Sequence, residues 1–548
     1  MRFLVFILFL ALSFNLFGQS PRRYWVELSD KVSTPYNVST PSAFLSAKAI
    51  QRRLNQGIPI TQNDLPVDPN YVAQIAAVPT VTIWLTSKWF NAVSVEVDDS
   101  TMVDSILNLP FVINVDTVKR MTVDIGKDLI SEKSGGHTNY HDEHYGIAFK
   151  QIEMLGGHLL HSEGYTGAGK TIAVLDAGFK KVDSVDVFQS MIAEGRLIAT
   201  KDMVDRDNYV YSSSQHGTAV LSCIGANLPG KMVGTAPGAS FILIRSEDVS
   251  SESLAEEDNW IGGAEFADSL GADIFNTSLG YTEFNDTLMN HTYADLDGNT
   301  ARISIAADVA AAKGILVVTS AGNMGEQPWY YISAPGDADS SLTVAAVDSF
   351  LVRAPFSSYG PSSDGDLKPN VAAMGFRTAC TFPNGEVRTA NGTSFSSPVL
   401  AGMAACLWEA FPSKTNMEIK ALIEKHGHQF LNPDFSLGYG VPNFYLAYLD
   451  AKGEEASSND EVLTVFPSQF STQLTVKFHS QSAGLWNLRI VNSQGQLLFE
   501  NDLEVSEGEY VQSVFTDEVA NLSMGMYYIQ LRKDEVSVAV EKVVKIRP

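Results

Sequence analysis

The chain has 548 residues, with 63 acidic against 38 basic side chains and a formal net charge of −25. That balance opposes electrostatic binding to nucleic acid or to an anionic membrane, and suits a protein that works in solution outside the cell. The length leaves room for three domains, while three cysteines are too few, and an odd number, for a disulfide framework. Cys223 and Cys406 fall in apolar helical runs and read as small buried hydrophobes; a bridge within one pair of Cys223, Cys380 and Cys406 stays open.

At the start, Arg2 and the apolar run 3–17 ending at Gly18 read as an export signal, residues 1–18. The run is too short to span a membrane, and no later segment supplies a span. The alternative is a retained N-terminal anchor. Residues 19–140 alternate strand patterns (24–28, 81–85, 91–95, 111–115) with helix patterns (41–55, 101–107), which predicts a small α+β domain. The polar stretch 124–145, with Ser134-Gly-Gly-His and Asn139-Tyr-His-Asp, reads as an exposed junction open to cleavage. His137, His141 and His144 are spaced too irregularly for a metal site and read as part of a solvated linker.

Gly164-Tyr-Thr-Gly-Ala-Gly-Lys170-Thr171 satisfies the phosphate-loop pattern letter for letter. A phosphate loop must follow a strand and open a helix. Here a helical pattern (148–162) precedes it and an apolar strand follows, so the glycines are expected to form a turn and not to bind nucleotide. That strand, 171–176, reads as buried and parallel and ends on Asp176, at the carboxyl end where open α/β sheets collect ligand and catalytic groups. His216-Gly then opens an apolar helix; a lone His there is more often structural. Residues 315–319 predict another strand, followed by Ser320-Ala-Gly-Asn323, whose amide can donate a hydrogen bond but alone reads as a turn residue.

In Asn391-Gly-Thr-Ser394-Phe-Ser-Ser-Pro398 a hydroxyl stands at the mouth of a buried helix, 399–408. Gly392 permits angles a side chain forbids, Pro398 suits a first helical turn, and the helix end is positive. In isolation the plain N-cap reading would win. The charged and small residues of 451–460 read as a linker. Beyond it, alternating segments at 463–466, 474–478, 486–490, 496–499, 526–531 and 536–544 predict a small all-β sandwich over 461–548.

Together, an acid, an imidazole and a hydroxyl in the order Asp176, His216, Ser394, each beside a glycine and a buried element, form a triad candidate with Asn323 as oxyanion donor. Over about residues 140 to 450 the chain resembles the subtilase (subtilisin-like serine protease) family. Asp176-Ala-Gly resembles its acid motif, His216-Gly-Thr its histidine motif, Ser320-Ala-Gly-Asn its oxyanion motif and Gly392-Thr-Ser394-Phe-Ser-Ser-Pro its nucleophile motif. Gly234-Thr-Ala-Pro-Gly238 and Asn276-Thr-Ser-Leu-Gly280 also match, whereas Ala177 and Phe179 depart from the usual neighbours of the acid.

The resemblance implies a doubly wound, mostly parallel α/β catalytic domain at 141–450, preceded by a prodomain at 19–140 that assists folding and blocks the cleft. It implies a secreted serine endopeptidase, made as a self-inhibited precursor, that pairs an extended peptide with Ser278, Leu279 and Gly280 and floors its first pocket with loop 332–335. No cofactor is required. Calcium, which many members bind, has no specific motif here, and Asp202, Asp205 and Asp207 read as an acidic surface loop.

Val465-Phe-Pro-Ser-Gln-Phe470, Asn492-Ser-Gln-Gly, Gly525-Met-Tyr-Tyr and Lys542-Val-Val-Lys-Ile546 resemble the C-terminal sorting domain of the type IX secretion system. That implies a Gram-negative Bacteroidetes-type host, passage across the outer membrane, and release or surface attachment. The alternative for this region is an accessory sandwich, such as one that binds carbohydrate. Expected partners are protein or peptide substrates and the secretion machinery, with no nucleic acid, no membrane span and a monomeric state. The rival reading of the whole chain is a catalytically silent surface protein that binds peptides; four competent side chains disfavour it.

Overall fold

A four-stranded antiparallel sheet opens the described chain, in the order β2-β3-β1-β4 with β1 at Arg22–Leu28, β2 at Val81–Ser87, β3 at Ala92–Val97 and β4 at Val112–Lys119. The computed structural model describes residues 22–120, 142–457 and 463–546, apart from 467–468, 472–473, 481, 493, 515–518 and 534–535. The expected export signal and most of the 124–145 junction, including His137 and His141, lie outside the described residues.

Alternation along these strands serves two different cores. Tyr24, Val26, Leu28, Val93, Val95 and Val97 pack under the helices Pro69–Ala76 and Val103–Leu107. The opposite face, with Trp25, Leu85, Trp89 and Ala92, joins the core of the next domain against Trp260 and Ala264 of the helix Leu254–Leu270. The helix expected over 41–55 is a 3-10 turn, Pro41–Ala43, followed by a helix at Ala47–Asn55, because Ser46 caps the latter by accepting from the Ala49 N–H. The helix Pro69–Ala76 went unpredicted, although Asp68 and Pro69 mark its start.

Residues 171–374 carry a seven-stranded sheet in the order β13-β12-β11-β10-β5-β9-β6. Its strands are β5 Thr171–Asp176, β6 Leu197–Asp202, β9 Ser240–Arg245, β10 Ile274–Thr277, β11 Leu316–Ser320, β12 Leu342–Val347 and β13 Val371–Met374, with a hairpin of β7 Asn227–Leu228 and β8 Met232–Val233 outside it. Every neighbour in the sheet is parallel. Such a sheet is buried on both faces. Accordingly Ile172 and Val174 face the core of the helices His216–Gly225 and Thr393–Ala410, while Ala173 and Leu175 face that of Leu254–Leu270 and Arg302–Ala312. The strand order reverses between β5 and β10, so a crevice opens at their carboxyl ends, where Asp176 and Ser278 stand.

The turn that feeds β5 explains the phosphate-loop lettering. Glu409, near the end of the Thr393–Ala410 helix, accepts the backbone N–H groups of Thr166, Gly167 and Ala168 at 2.8, 2.7 and 3.0 Å. The amide nest that a phosphate would need is filled by the chain's own carboxylate. The expected helix over 148–162 divides into Phe149–Glu153 and Gly157–Ser162 at Gly156, where φ is +68°.

The small hairpin of β14 Thr378–Thr381 and β15 Val387–Ala390 packs beside the His216 helix. All three cysteines are buried free thiols; the sulfurs of Cys223 and Cys380 stand 3.5 Å apart. The last helix of this domain, Phe444–Ser457, continues into the stretch expected as linker, so that expectation is corrected for 451–457. The C-terminal region forms two sheets around Trp486, Leu488, Ile490 and Ile529: β16 Thr464–Phe466, β18 Leu474–Ser480 and β21 Gly508–Val514 in one, and β17 Gln469–Phe470, β19 Gly484–Asn492, β20 Leu497–Val505, β22 Gly525–Lys533 and β23 Val536–Lys545 in the other. No helix among the described residues is long and apolar enough to cross a membrane.

Docking of the N-terminal sheet is electrostatic as well as apolar. Glu265 accepts from Ser87 Oγ and from the N–H groups of Lys88 and Trp89 at 2.5, 2.7 and 3.0 Å, and Asp268 meets Arg52, Arg53 and Lys88. Burial would raise the Asp268 carboxyl, but Lys88, Arg52 and Arg53 outweigh it and hold the group well below the usual carboxylate range. Asp268→Ala leaves these buried cations without their shared partner, and urea denaturation of the full chain should show a loss of about 3–5 kcal/mol. Glu409→Ala should cost about 1–3 kcal/mol in the same measurement, because three amides lose a charged acceptor.

Candidate active site

Asp176, fully buried at the end of β5, accepts the Ala177 N–H at 2.7 Å and meets His216 Nδ1 at 2.8 and 3.0 Å from its two oxygens. The imidazole is therefore held in one orientation, with Nδ1–H donating to the carboxylate and Nε2 turned the other way. The segments that carry the pair touch: a Cβ on Gly217 would lie 2.4 Å from the Gly178 carbonyl oxygen and 2.9 Å from the Phe179 ring. That contact is the physical reason glycine follows His216, while Gly178 has φ +135° and a Cβ there would lie 2.7 Å from Ser213 Cβ and 2.8 Å from the Ser214 nitrogen. His216 Nε2 is buried and makes no hydrogen bond.

Ser394 is the second residue of its helix and is 8% exposed. Gly392 caps that helix at φ +151°, a conformation that favours glycine. Pro398 is the sixth residue of the helix and not part of its first turn, which corrects the sequence expectation. Having no N–H, Pro398 cannot donate to the carbonyl four residues earlier, which belongs to Ser394. Ser278 Oγ supplies that bond instead, at 2.9 Å, and Ser394 Oγ donates to the Ser278 carbonyl at 3.2 Å. Ser397 Oγ donates to Asn276 Oδ1 at 2.9 Å, and Asn276 Nδ2 to Ser278 Oγ at 3.1 Å. A small polar network thus fixes the Ser394 turn against the end of β10.

Asn323 Oδ1 accepts from the Thr393 N–H at 2.9 Å and from Thr393 Oγ1 at 3.0 Å. With that oxygen engaged, Nδ2 is the end of the amide available to the cleft. Thr393 Oγ1 also accepts the Gly322 N–H at 3.2 Å. Thr393 is a positioning residue that sequence reasoning missed, although it sits within the quoted motif.

His216, Ser394, Asn323, Ser278, Leu279 and Gly280 line one cleft of about 320 Å³. The structure thus brings all the expected site residues except buried Asp176 to one surface, with Asp176 behind His216. Ser394 Oγ and His216 Nε2 make no hydrogen bond to each other here, since the hydroxyl donates to the Ser278 carbonyl. Apo geometry of this kind is common in catalytic pairs. Of the 332–335 loop only Ser333 lines the cleft, while Ile332 and Ala334 belong to the core.

The acidic loop is internally satisfied: Asp202 and Asp205 share the Arg245 guanidinium at 2.8 and 2.5 Å, and Asp207 accepts the Tyr209 N–H at 2.8 Å. Elsewhere Asp339, Asp364 and Asp366 bring three exposed carboxylates within 4.8 Å of one another, an arrangement that sequence spacing concealed and that alone does not make a metal site.

Residues 167–440 match the subtilase family, residues 23–134 the peptidase S8 propeptide domain of Bacteroidota, and residues 464–546 a secretion system C-terminal sorting domain. The chain is 30% identical over 333 residues to subtilisin NAT of Bacillus subtilis subsp. natto and to subtilisin E of Bacillus subtilis (strain 168), covering 60% of this chain and 77% of each relative. It is 29% identical over 299 residues to subtilisin of Bacillus pumilus, covering 54% of this chain and 97% of that protein. The sorting-domain match marks export by the type IX route to the cell surface or beyond. The chain belongs to the subtilase family, as a subtilisin-like serine peptidase that carries a propeptide before its peptidase domain and a sorting domain after it.

Proposed function

We propose that this chain is a secreted endopeptidase precursor that hydrolyses peptide bonds through Asp176, His216 and Ser394, with an acyl-enzyme intermediate. The observation that carries the reading is the buried Asp176–His216 pair, whose unpartnered Nε2 shares a cleft with the Ser394 hydroxyl. Serine is a poor nucleophile at neutral pH. His216 Nε2 takes its proton as Oγ attacks the peptide carbonyl, then gives that proton to the leaving amine; water repeats the sequence to release the acyl group. Asp176 holds the ring and stabilises its cationic form.

Asn323 Nδ2 and the Ser394 N–H donate to the oxyanion that forms during attack. Extended substrate lies along Ser278, Leu279 and Gly280, its backbone giving affinity and its side chains selectivity. No cofactor enters any of these steps.

The reading assigns residues 1–18 to an export signal, 19–140 to the prodomain, 141–450 to the catalytic domain and 461–548 to the sorting domain, with the connecting segment beginning after the helix that ends at Ser457. Self-inhibition is supported by where the prodomain sits. β4 ends with Lys119 Nζ 2.9 Å from Ser251 Oγ, and Arg120 Nε lies 3.6 Å from Asp286 Oδ2, on the two segments that also carry the cleft-lining Glu252 and Glu283. A monomer that acts on protein or peptide substrates and meets the secretion machinery through its tail completes the proposal.

Ser394→Ala should abolish both peptide hydrolysis and removal of the prodomain, read by gel shift and a fluorogenic peptide; hydrolysis that survives the substitution defeats the assignment. Asn323→Ala should lower kcat by about 10²–10³ with a much smaller change in KM, because the lost bond forms only as the oxyanion develops.

A further inference from the structure

The cleft carries carboxylates that hydrolysis does not use. Glu247, Glu252 and Glu283 line it together with His216 and Ser394, and no Lys or Arg is among its described lining residues. Two further polar groups, both almost fully buried and without hydrogen-bond partners, face the same space: His216 Nε2 and Ser333 Oγ. The site is thus built for a ligand, and its lining is negative.

The acidic rim is held in place. The Glu252 N–H donates to Asn285 Oδ1 at 2.6 Å while the Asn285 N–H donates to the Glu252 carbonyl at 2.9 Å, so the segments bearing Glu252 and Glu283 are clamped side by side. Glu247 accepts a hydrogen bond from the buried Tyr281 hydroxyl, next to the Ser278-Leu279-Gly280 edge. Fixed carboxylates in a walled cleft focus a negative potential on whatever enters.

The chain itself shows what chemistry suits this rim. β4 and the residue after it bring two consecutive cations to the segments that carry this rim: Lys119 Nζ lies 2.9 Å from Ser251 Oγ and 3.7 Å from Asp248 Oδ2, and Arg120 Nε lies 3.6 Å from Asp286 Oδ2. Asp248 and Asp286 belong to the same two segments as Glu247, Glu252 and Glu283. Cleavage in the polar junction after Arg120 leaves both cations on the N-terminal side of the broken bond.

We propose that the cleft selects peptides carrying Lys or Arg on the N-terminal side of the scissile bond, with Glu252 and Glu283 as specificity-determining residues and Glu247 reinforcing them from below. This inference rests on the peptidase reading above. The prodomain's Lys119 and Arg120 then act as the first occupants of a rim that later receives cationic substrate.

The test uses enzyme matured from the full chain and internally quenched peptides that differ only in having Lys or Arg, or Gln, at each of the four positions before the cleaved bond. At one position or more the cationic peptide should show kcat/KM roughly ten-fold higher, the product of partly exposed charge pairs each worth a few-fold. The preference should shrink as salt rises through the range where the Debye length falls to a few ångströms. It should also collapse toward unity in the Glu252→Gln, Glu283→Gln double variant. Equal rates at all four positions in the unaltered enzyme overturn the specificity and leave the peptidase reading standing. A preference that ignores both salt and the double substitution overturns the assignment to these carboxylates. Hydrolysis of no peptide, with the prodomain never removed, overturns both readings.

Discussion

A carboxylate buried at the end of a parallel strand needs a donor, and Asp176 finds it in His216. The rest of the site follows from that contact. Meeting it requires the segment after β5 and the start of the 216–225 helix to touch at Gly178 and Gly217, where any side chain would collide. The touch fixes the imidazole plane and leaves Nε2 as the only ring nitrogen with nothing to bond. The crevice between β5 and β10 exists because the strand order reverses there. Into it the Thr393–Ala410 helix sets Ser394.

The second constraint is a missing N–H. Pro398 leaves the Ser394 carbonyl without its helical donor, and a buried carbonyl of that kind is costly unless another group bonds it. Ser278 Oγ does so, which welds the helix start to the strand end that carries the expected peptide-binding edge. Ser394 and the expected substrate edge are therefore parts of one hydrogen-bonded unit. At the other end of the same helix Glu409 ties down the turn that feeds β5. One helix thus ties the turn that feeds β5 to the end of β10.

Much of this was legible in the sequence. The strand ending on Asp176, the helix opening on His216 and the strand before Asn323 stand where apolar patterning put them, because a doubly buried parallel sheet writes itself as short apolar runs. Tertiary partners were not legible. Pro398 looked like a first-turn residue since pattern alone does not reveal where a helix begins. The flanking elements alone speak against a phosphate loop, but that Glu409, 243 residues after Thr166, fills the nest follows only from packing. Helices broken at Ser46 and Gly156 looked continuous because a cap and a positive φ are local events inside an unbroken apolar pattern. The acidic rim joins residues 247–252 to 283–286, a proximity that no spacing rule encodes.

On the proposed reading Ser394 becomes nucleophilic through His216, held by Asp176. Mass-spectrometric mapping of the protein after fluorophosphonate treatment tests it directly. A single adduct on Ser394 is expected in the unaltered chain, and its loss in the His216→Ala variant; an adduct on a different serine, or unchanged labelling without the imidazole, means that Ser394 is not activated in this way.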